Sequence, residues 1–421
     1  MAVEWTQYHR DAGRSGLGPG EPALTSPSVA WKIGVDGQVY ASPLVVSGHV
    51  IVATENNTLY SLDVFTGSVV WQRHLGEPVV SSTLPCGNIG PVSGITGTPA
   101  ADPASGRVYA VAYLRGYHHV LFALSLTDGS VLWQQTVDPV GSNPAVQQFR
   151  GALAIGSGSV YVPIGGLFGD CGNYHGYVVA VPLSGGLASA YRVPAPTGAS
   201  IWSPQGPSIA SDGSVYVVTG NATSSATTFG YSDSVLQLSP DLRTVRSYFA
   251  PSNWVELNGG DTDLGSVGAA LLPGGLVVSI GKEGVAYVLR AGALGRVGGQ
   301  LASRKVCSGA WGGTAWTASG SAATVFVPCA DGLHALSVSA GSVAVAWRAA
   351  SPRLGSPIIA AGAVWAIEPS SGTLFALGIS DGRVLFKTSL GAAMQFSTPA
   401  ATEGFVVAPA GRNVVAVSVV G

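Results

Sequence analysis

Asn57-Thr58-Leu59-Tyr60-Ser61-Leu62-Asp63-Val64-Phe65-Thr66-Gly67-Ser68-Val69-Val70-Trp71 carries the repeat unit of this chain. Two runs rich in Leu, Val and Tyr flank the reversal at Thr66-Gly67, so the stretch reads as an antiparallel hairpin. Upstream, Ala41-Ser42-Pro43 opens a second strand pair, Leu44 to Thr54, around Ser47-Gly48-His49, which makes four short strands. The order returns at Gly97-Thr98-Pro99 with Asp128-Gly129 and Val131-Leu132-Trp133, and at Gly355-Ser356-Pro357 with Asp381-Gly382 and Val384-Leu385-Phe386. Weaker copies fill the remainder and bring the count to eight, near 41–75, 97–137, 151–193, 206–250, 267–303, 313–349, 356–390 and 397–421. A period of about 40 to 50 residues is the mark of a propeller or solenoid. The last copy stops after its third strand, while Ser28-Val29-Ala30-Trp31-Lys32-Ile33 is a spare fourth strand at the other end of the chain. The expected fold is therefore all-β: an eight-bladed β-propeller over 28–421, made of four-stranded antiparallel blades. Segment 28–35 closes the last blade, and residues 1–27 form an arm over one face. Closure removes open sheet edges. A β-helix is disfavoured by the repeat length, and serial sandwiches by the split last blade. Trp71, Trp133 and Trp347 each follow a Gly turn at repeat spacing, which assigns them to packing between blades.

Composition agrees. Of 421 residues, 59 are Gly and 26 are Pro, well above the usual combined share of about 12%, which argues against long helices. Charged residues are only 10% and the formal net charge is -2, with no block of one sign, so the footprint of a nucleic-acid or anionic-membrane binder is missing. The longest apolar run, Ile358 to Ile367, is interrupted by Gly362 and stops at Glu368. It falls short of the roughly 18 residues a spanning helix needs. A soluble protein without a membrane span is expected. Met1-Ala2-Val3-Glu4-Trp5 lacks the basic-then-apolar order of a signal peptide. The four cysteines form no CxxC, metal-type or haem-attachment motif; of three possible pairings, repeat placement favours Cys307 with Cys329 and Cys86 with Cys171. Disulfides point to a secreted or cell-envelope protein.

The phrase Leu-x-Asp…Thr-Gly-x-x-x-Trp resembles the repeat of the quinoprotein dehydrogenase-like propellers. These include pyrroloquinoline quinone (PQQ)-dependent alcohol dehydrogenases, polyvinyl alcohol dehydrogenases and cofactor-free outer-membrane assembly lipoproteins. Trp5-Thr6-Gln7-Tyr8-His9-Arg10-Asp11 is similar to the start of the polyvinyl alcohol dehydrogenase branch. Ser200-Ile201-Trp202-Ser203-Pro204 resembles the segment whose Trp lies under the quinone, and Val215 to Asn221 the strand whose Asn ligates the metal. Asp261-Thr262-Asp263-Leu264-Gly265-Ser266 resembles the segment with the catalytic base, and Gly281-Lys282-Glu283-Gly284 the turn whose cation contacts the quinone oxygens. Trp311-Gly312-Gly313 resembles a loop near the cofactor. The resemblance implies PQQ on Trp202, with Lys282, Arg150 and Trp311 beside it, and Ca²⁺ or a lanthanide ion on Asn221, Asp263 and Asp170. It also implies Asp261 as the general base, with Asp263 as ligand or substitute. Two departures stand out: no two cysteines are adjacent, and Asp170 replaces the family's metal-binding Glu.

The chemistry accounts for those residue types. A planar quinone needs an aromatic platform, a hard cation takes oxygen ligands, and an alcohol losing hydride must also lose a proton to a base. Other readings of the same residues remain. Asn221-Ala222-Thr223 is also a glycosylation sequon, Trp202 fits interblade packing, and Asp261-Thr262-Asp263 fits a turn whose carboxylates bind backbone amides. His175 beside Asp170 is a weaker metal or proton-transfer candidate, and His118-His119 fits a polar face. The expected function is oxidation of an alcohol or sugar hydroxyl, small or polymeric, with electrons passed to an external carrier. The competing expectation is a cofactor-free propeller that binds a protein or polysaccharide.

Overall fold

The computed structural model describes residues 4–18, 22–223, 227–402 and 404–420; residues 1–3 and 19–21 of the arm lie outside that set. Eight blade sheets follow one another along the chain, most of them four-stranded and antiparallel as expected; blade 3 adds Gln147–Gln148 as a fifth strand, and blade 4 adds Arg296–Val297, parallel to Val245–Ala250. Blade 1 runs Leu44–Val46, His49–Ala53, Thr58–Asp63 and Val69–His74, and blade 2 runs Ala100–Asp102, Arg107–Leu114, His118–Ser125 and Val131–Thr136. Blades 3 to 7 repeat this order, each opening on a two- or three-residue or slightly longer inner strand: Ala154–Gly156, Ser208–Ile209, Ala270–Leu272, Ala315–Ser319 and Ile358–Ala360. Blade 8 contains Ala400–Thr402, Phe405–Pro409 and Asn413–Ser418, and is completed by Ser28–Gly34 from the other end of the chain, paired with Asn413–Ser418. The ring is closed by hydrogen bonds between the two ends of the sequence.

The repeated Trp explains how blades are held to one another. Trp71, on the outer strand of blade 1, donates its indole N–H to the carbonyl of Leu126 at 2.9 Å, in the hairpin turn of blade 2, and its ring covers Gly129 of that turn. Trp31 does the same from blade 8 to blade 1, through Val64 O and Gly67, and Trp347 from blade 6 to blade 7, through Ile379 O and Gly382. Trp133 covers Gly185 of blade 3. The Gly at these turns has φ near +70° and no room for a side chain: a Cβ on Gly129 would lie 2.5 Å from the Trp71 ring. The Thr-Gly and Asp-Gly of one repeat are thus the seat for the Trp of the repeat before it.

Inner strands in a propeller leave backbone groups facing the axis, and here the N-terminal arm takes them up. Trp5 exchanges two hydrogen bonds with Val45 of blade 1; Thr6 O accepts from Ala101 of blade 2; Gln7 Oε1 accepts from Ile155 of blade 3; Ala12 O accepts from Ile209 of blade 4. Ser15 O then accepts from Trp316 of blade 6, and Gly16 O and Gly18 N–H pair with Ile359 of blade 7. Fully buried Arg14 donates to the carbonyls of Tyr8, Leu153 and Pro207, which satisfies its donors inside the ring. Blade 1 also buries an acid. Glu55 accepts from the Gly94 N–H at 2.6 Å and the Thr96 hydroxyl at 3.2 Å, and burial pushes its carboxyl up to about 7.

Two outcomes follow for stability. Gly129→Ala should cost about 2 to 4 kcal/mol in urea unfolding, combining the positive φ with overlap on Trp71. Gly106→Ala, at φ 66° with open space around it, should cost only about 1 to 2 kcal/mol. The folded state holds the Glu55 proton more tightly than the unfolded chain, so this group's contribution to stability falls as pH rises from about 4.5 through about 7. Glu55→Gln should therefore stabilise at pH 8, by up to about 3 kcal/mol, and change little at pH 4.5; a pH-independent difference between the two proteins would contradict this.

Candidate functional site

Inter-blade loops on one face surround a cavity of about 250 Å³ at the axis. The residues that the resemblance assigns to the site line it: Arg150, Asp170, Trp202, Asn221, Asp261, Asp263, Lys282 and Trp311. They come from different loops because each stands where a strand ends or the next blade opens. Trp202 precedes the Ser203-Pro204 that leads into blade 4, and Asn221 follows the strand Val215–Val218. Asp261 and Asp263 precede blade 5, and Lys282 follows its strand Leu276–Ser279. Trp202 faces the cavity rather than packing between blades.

The core of the site is an ion pair. Lys282 Nζ lies 2.6 Å from Asp263 Oδ2 and 2.9 Å from Asp261 Oδ1, and 5.8 Å from the ring centre of Trp202. Asp263 is held from its other side, Oδ1 accepting the backbone N–H of Asn221 at 2.8 Å. Gly220 allows this approach, since a Cβ there would sit 2.1 Å from Asp263 Oδ1. The two acids differ in surroundings: the Asp263 side chain is 7% exposed and that of Asp261 is 70% exposed. Burial raises the proton affinity of Asp263 against the pull of Lys282. Burial works to lower Lys282, but the two carboxylates outweigh it and the ammonium is held above its usual range. Behind them Asp233, buried, accepts the Leu264 N–H at 2.9 Å and is raised by burial.

The opposite wall is cationic and aromatic. Arg150 is buried and donates to Asn88 Oδ1 at 2.9 Å and Gln148 Oε1 at 3.1 Å. Its guanidinium sits 5.6 Å from the centre of the Phe396 ring, which is in turn 6.2 Å from the Trp202 ring. Among the described residues no carboxylate comes within ion-pair distance of Arg150; the buried acid that acts on it is Glu55. Trp311 lines the cavity with the Arg353 guanidinium 4.7 Å from its ring centre. The Cys86–Cys171 disulfide joins the loop carrying Asn88 to the loop carrying Asp170, and Cys307–Cys329 is formed as well.

The carboxylates among the proposed metal ligands are already engaged. Asp170 accepts from the Tyr174 hydroxyl, Asp263 is bound by Lys282 and Asn221 N–H, and Asn221 Nδ2 donates to Ala222 O at 3.1 Å. Among the described residues Asp170, Asp261 and Asp263 do not form a cluster with ligand atoms within 4.8 Å. His175 lies against Arg192 outside the cavity lining. His119 is buried with its Nδ1 2.8 Å from Asp138, between the rings of Tyr113 and Phe149; it is a core histidine and not part of a polar face.

Sequence reasoning missed Phe396, Tyr174 and Asn88 in the lining. Phe396 had a signal: Phe396-Ser397-Thr398-Pro399 places an aromatic residue just ahead of a blade opening, as Trp202-Ser203-Pro204 does.

Comparison with known proteins adds the following. A family model described as outer membrane protein assembly factor BamB matches residues 23–228. A polyvinylalcohol dehydrogenase from Pseudomonas sp is 27% identical over 231 residues, covering 48% of this chain and 33% of that protein, so the match spans about a third of its relative's length. The solved quinohemoprotein alcohol dehydrogenase from Comamonas testosteroni superposes with a TM-score of 0.75 at 15% identity, over 100% of this chain and 81% of that one. A europium-containing methanol dehydrogenase gives 0.71 at 15% identity, over 96% and 89% of the two chains. At such identities the structural likeness is one of fold. Its repeats, its partial sequence match and its eight blades make the chain similar to the quinoprotein alcohol dehydrogenase-like propellers.

Proposed function

We propose that this chain is a quinoprotein-type oxidoreductase that oxidises an alcohol or sugar hydroxyl, with PQQ in the axial cavity and Asp263 as the general base. The observation that carries this reading is the Asp263–Lys282 pair beside the Trp202 ring in a cavity that also holds Arg150, a buried cation with no carboxylate at contact distance among the described residues. Such a cavity suits a planar polyanion: Trp202 offers the platform, while Arg150 and Lys282 offer charge. Bound there, PQQ supplies a two-electron acceptor for the hydride that leaves the substrate carbon.

The chain's own part is proton handling and orientation. Asp263 is better suited than Asp261 to take the hydroxyl proton, because it is buried, fixed on one oxygen by the Asn221 N–H, and raised in proton affinity by its surroundings. Asp261 is mostly exposed and serves to steady Lys282. Lys282 stabilises negative charge developing on an oxygen at the cavity. For a hard ion the residues fit poorly as they stand. Asn221 Oδ1 and Asp263 are fewer than the six to eight oxygens that Ca²⁺ takes, and no step here uses an ion. The two disulfides support an oxidising compartment, hence a secreted or cell-envelope enzyme that passes electrons to an external carrier. The engaged state of Asp170 and Asp263 supports a second reading, a cofactor-free propeller that binds a protein or polysaccharide through its face loops.

Dye-linked alcohol oxidation after loading with PQQ separates these. Asp263→Asn should lower kcat by about 100-fold or more with quinone binding retained, while Asp261→Asn should lower it by less than about 10-fold. Equal loss in both variants, or full activity in Asp263→Asn, would contradict the assignment of the base. Arg150→Met should weaken PQQ binding by about 10-fold or more, the loss expected for a charge-assisted contact. The second reading predicts no quinone binding at micromolar concentration and a partner whose affinity survives Trp202→Ala.

A further inference from the structure

One group of side chains outside the cavity has the composition of a metal centre. Cys307 lies in the loop that links blades 5 and 6, Cys329 ends the strand Ala322–Cys329, Asp331 stands in the following turn, and His334 is on Gly332–Ser339. The two sulfurs, a carboxylate oxygen of Asp331 and a ring nitrogen of His334 all lie within 4.8 Å of one another. His334 is fully buried. Its Nδ1 is 3.1 Å from Val306 O, and a carbonyl only accepts, so Nδ1 carries the hydrogen and Nε2 presents a lone pair. That Nε2 is buried with no hydrogen-bond donor against it, 3.6 Å from Asp331 Oδ2. A histidine with one ring nitrogen donating to a backbone carbonyl and the other left open beside Asp331, in a group that includes two sulfurs, has the pairing that ligating histidines adopt.

We propose that Cys307, Cys329, His334 and Asp331 are a redox-gated site for a tetrahedral divalent ion, Zn²⁺, open only when the disulfide is reduced. A dithiol reductant delivers two electrons and two protons to the Cys307–Cys329 bond and leaves as its own disulfide. The two thiols formed then lose their protons to solvent as the sulfurs bind the metal, His334 Nε2 gives its lone pair and Asp331 one oxygen. Ligand atoms on such a tetrahedron stand about 3.3 to 3.8 Å apart, so the present grouping needs only small shifts once the sulfurs separate. Metal and disulfide exclude each other because both use the same two sulfurs.

The site sits one layer behind the cavity. Ala330 N–H donates to Gly309 O at 2.8 Å, Ala310 N–H to Gly281 O at 3.1 Å, and Trp311 N–H to Pro328 O at 3.3 Å. Either bond, disulfide or metal, therefore ties the loop that carries Trp311 to blade 6 and to the Lys282 turn. The chain would keep that loop anchored in a reducing compartment as well as an oxidising one.

The test is an anaerobic titration with Co²⁺ as optical probe, followed by Zn²⁺. The protein is first reduced with dithiothreitol and freed of it by gel filtration. The full-length reduced chain, and the Cys86→Ser/Cys171→Ser variant in which only Cys307 and Cys329 can be thiols, should each take up one equivalent of Co²⁺. Both should show a thiolate-to-cobalt charge-transfer band and tetrahedral ligand-field bands, displaced by one equivalent of Zn²⁺. The unreduced chain should show neither, and His334→Ala should weaken binding by about 100-fold or more. Absence of the charge-transfer band in the reduced chain, or an unchanged band in His334→Ala, would overturn the proposal.

Discussion

An indole seated on the glycine turn of the neighbouring blade joins blade 8 to 1, 1 to 2, 2 to 3 and 6 to 7. No blade here could bury its own faces, since strands of two to eight residues present apolar surface on both sides. The indole brings a large apolar area and one N–H, and the turn it meets offers a carbonyl and a bare Cα. Because the donor sits on one blade and the seat on the next, the interaction has a direction around the ring. Trp31 carries it across the closure, from the last blade to the first. The closing strand therefore supplies both the missing sheet edge and the missing indole.

This explains why so much of the architecture was legible in the sequence. The Trp and the Gly recur at fixed offsets because each needs a partner one repeat away, so the period of the fold is written as a period of residue types. The split last blade was visible for the same reason: Ser28 to Ile33 has the Trp of a fourth strand and no blade of its own. The path of residues 5–18 was not legible. They bond to inner-strand backbone of one blade after another, and backbone groups leave no residue-type signature.

The candidate site was legible in part, for a related cause. Trp202, Asn221, Asp263 and Lys282 stand at strand ends or blade openings, positions that the repeat itself locates, and the structure brings them to one cavity. Residues whose direction depends on loop conformation were hidden. Phe396 reaches the cavity from a backbone with φ 68°, and Asp261, at φ 49°, turns mostly outward where the sequence alone ranked it above Asp263. Glu55 and Asp233, which the sequence reading does not single out, are buried, and burial raises their proton affinity. The metal reading depended on Asp170 standing in for a longer acid, and in the structure its carboxylate meets the Tyr174 hydroxyl.

The site is a cavity with aromatic walls, one ion pair and one buried cation that, among the described residues, has no carboxylate at contact distance. Determination of a crystal structure of this chain grown with PQQ is the decisive measurement. The account predicts a planar ring system lying against Trp202, with carboxylate oxygens within hydrogen-bond distance of Arg150 and the Lys282 ammonium at a ring oxygen. A cavity that remains free of the quinone at saturating concentration, or a quinone bound elsewhere on the ring, would contradict it.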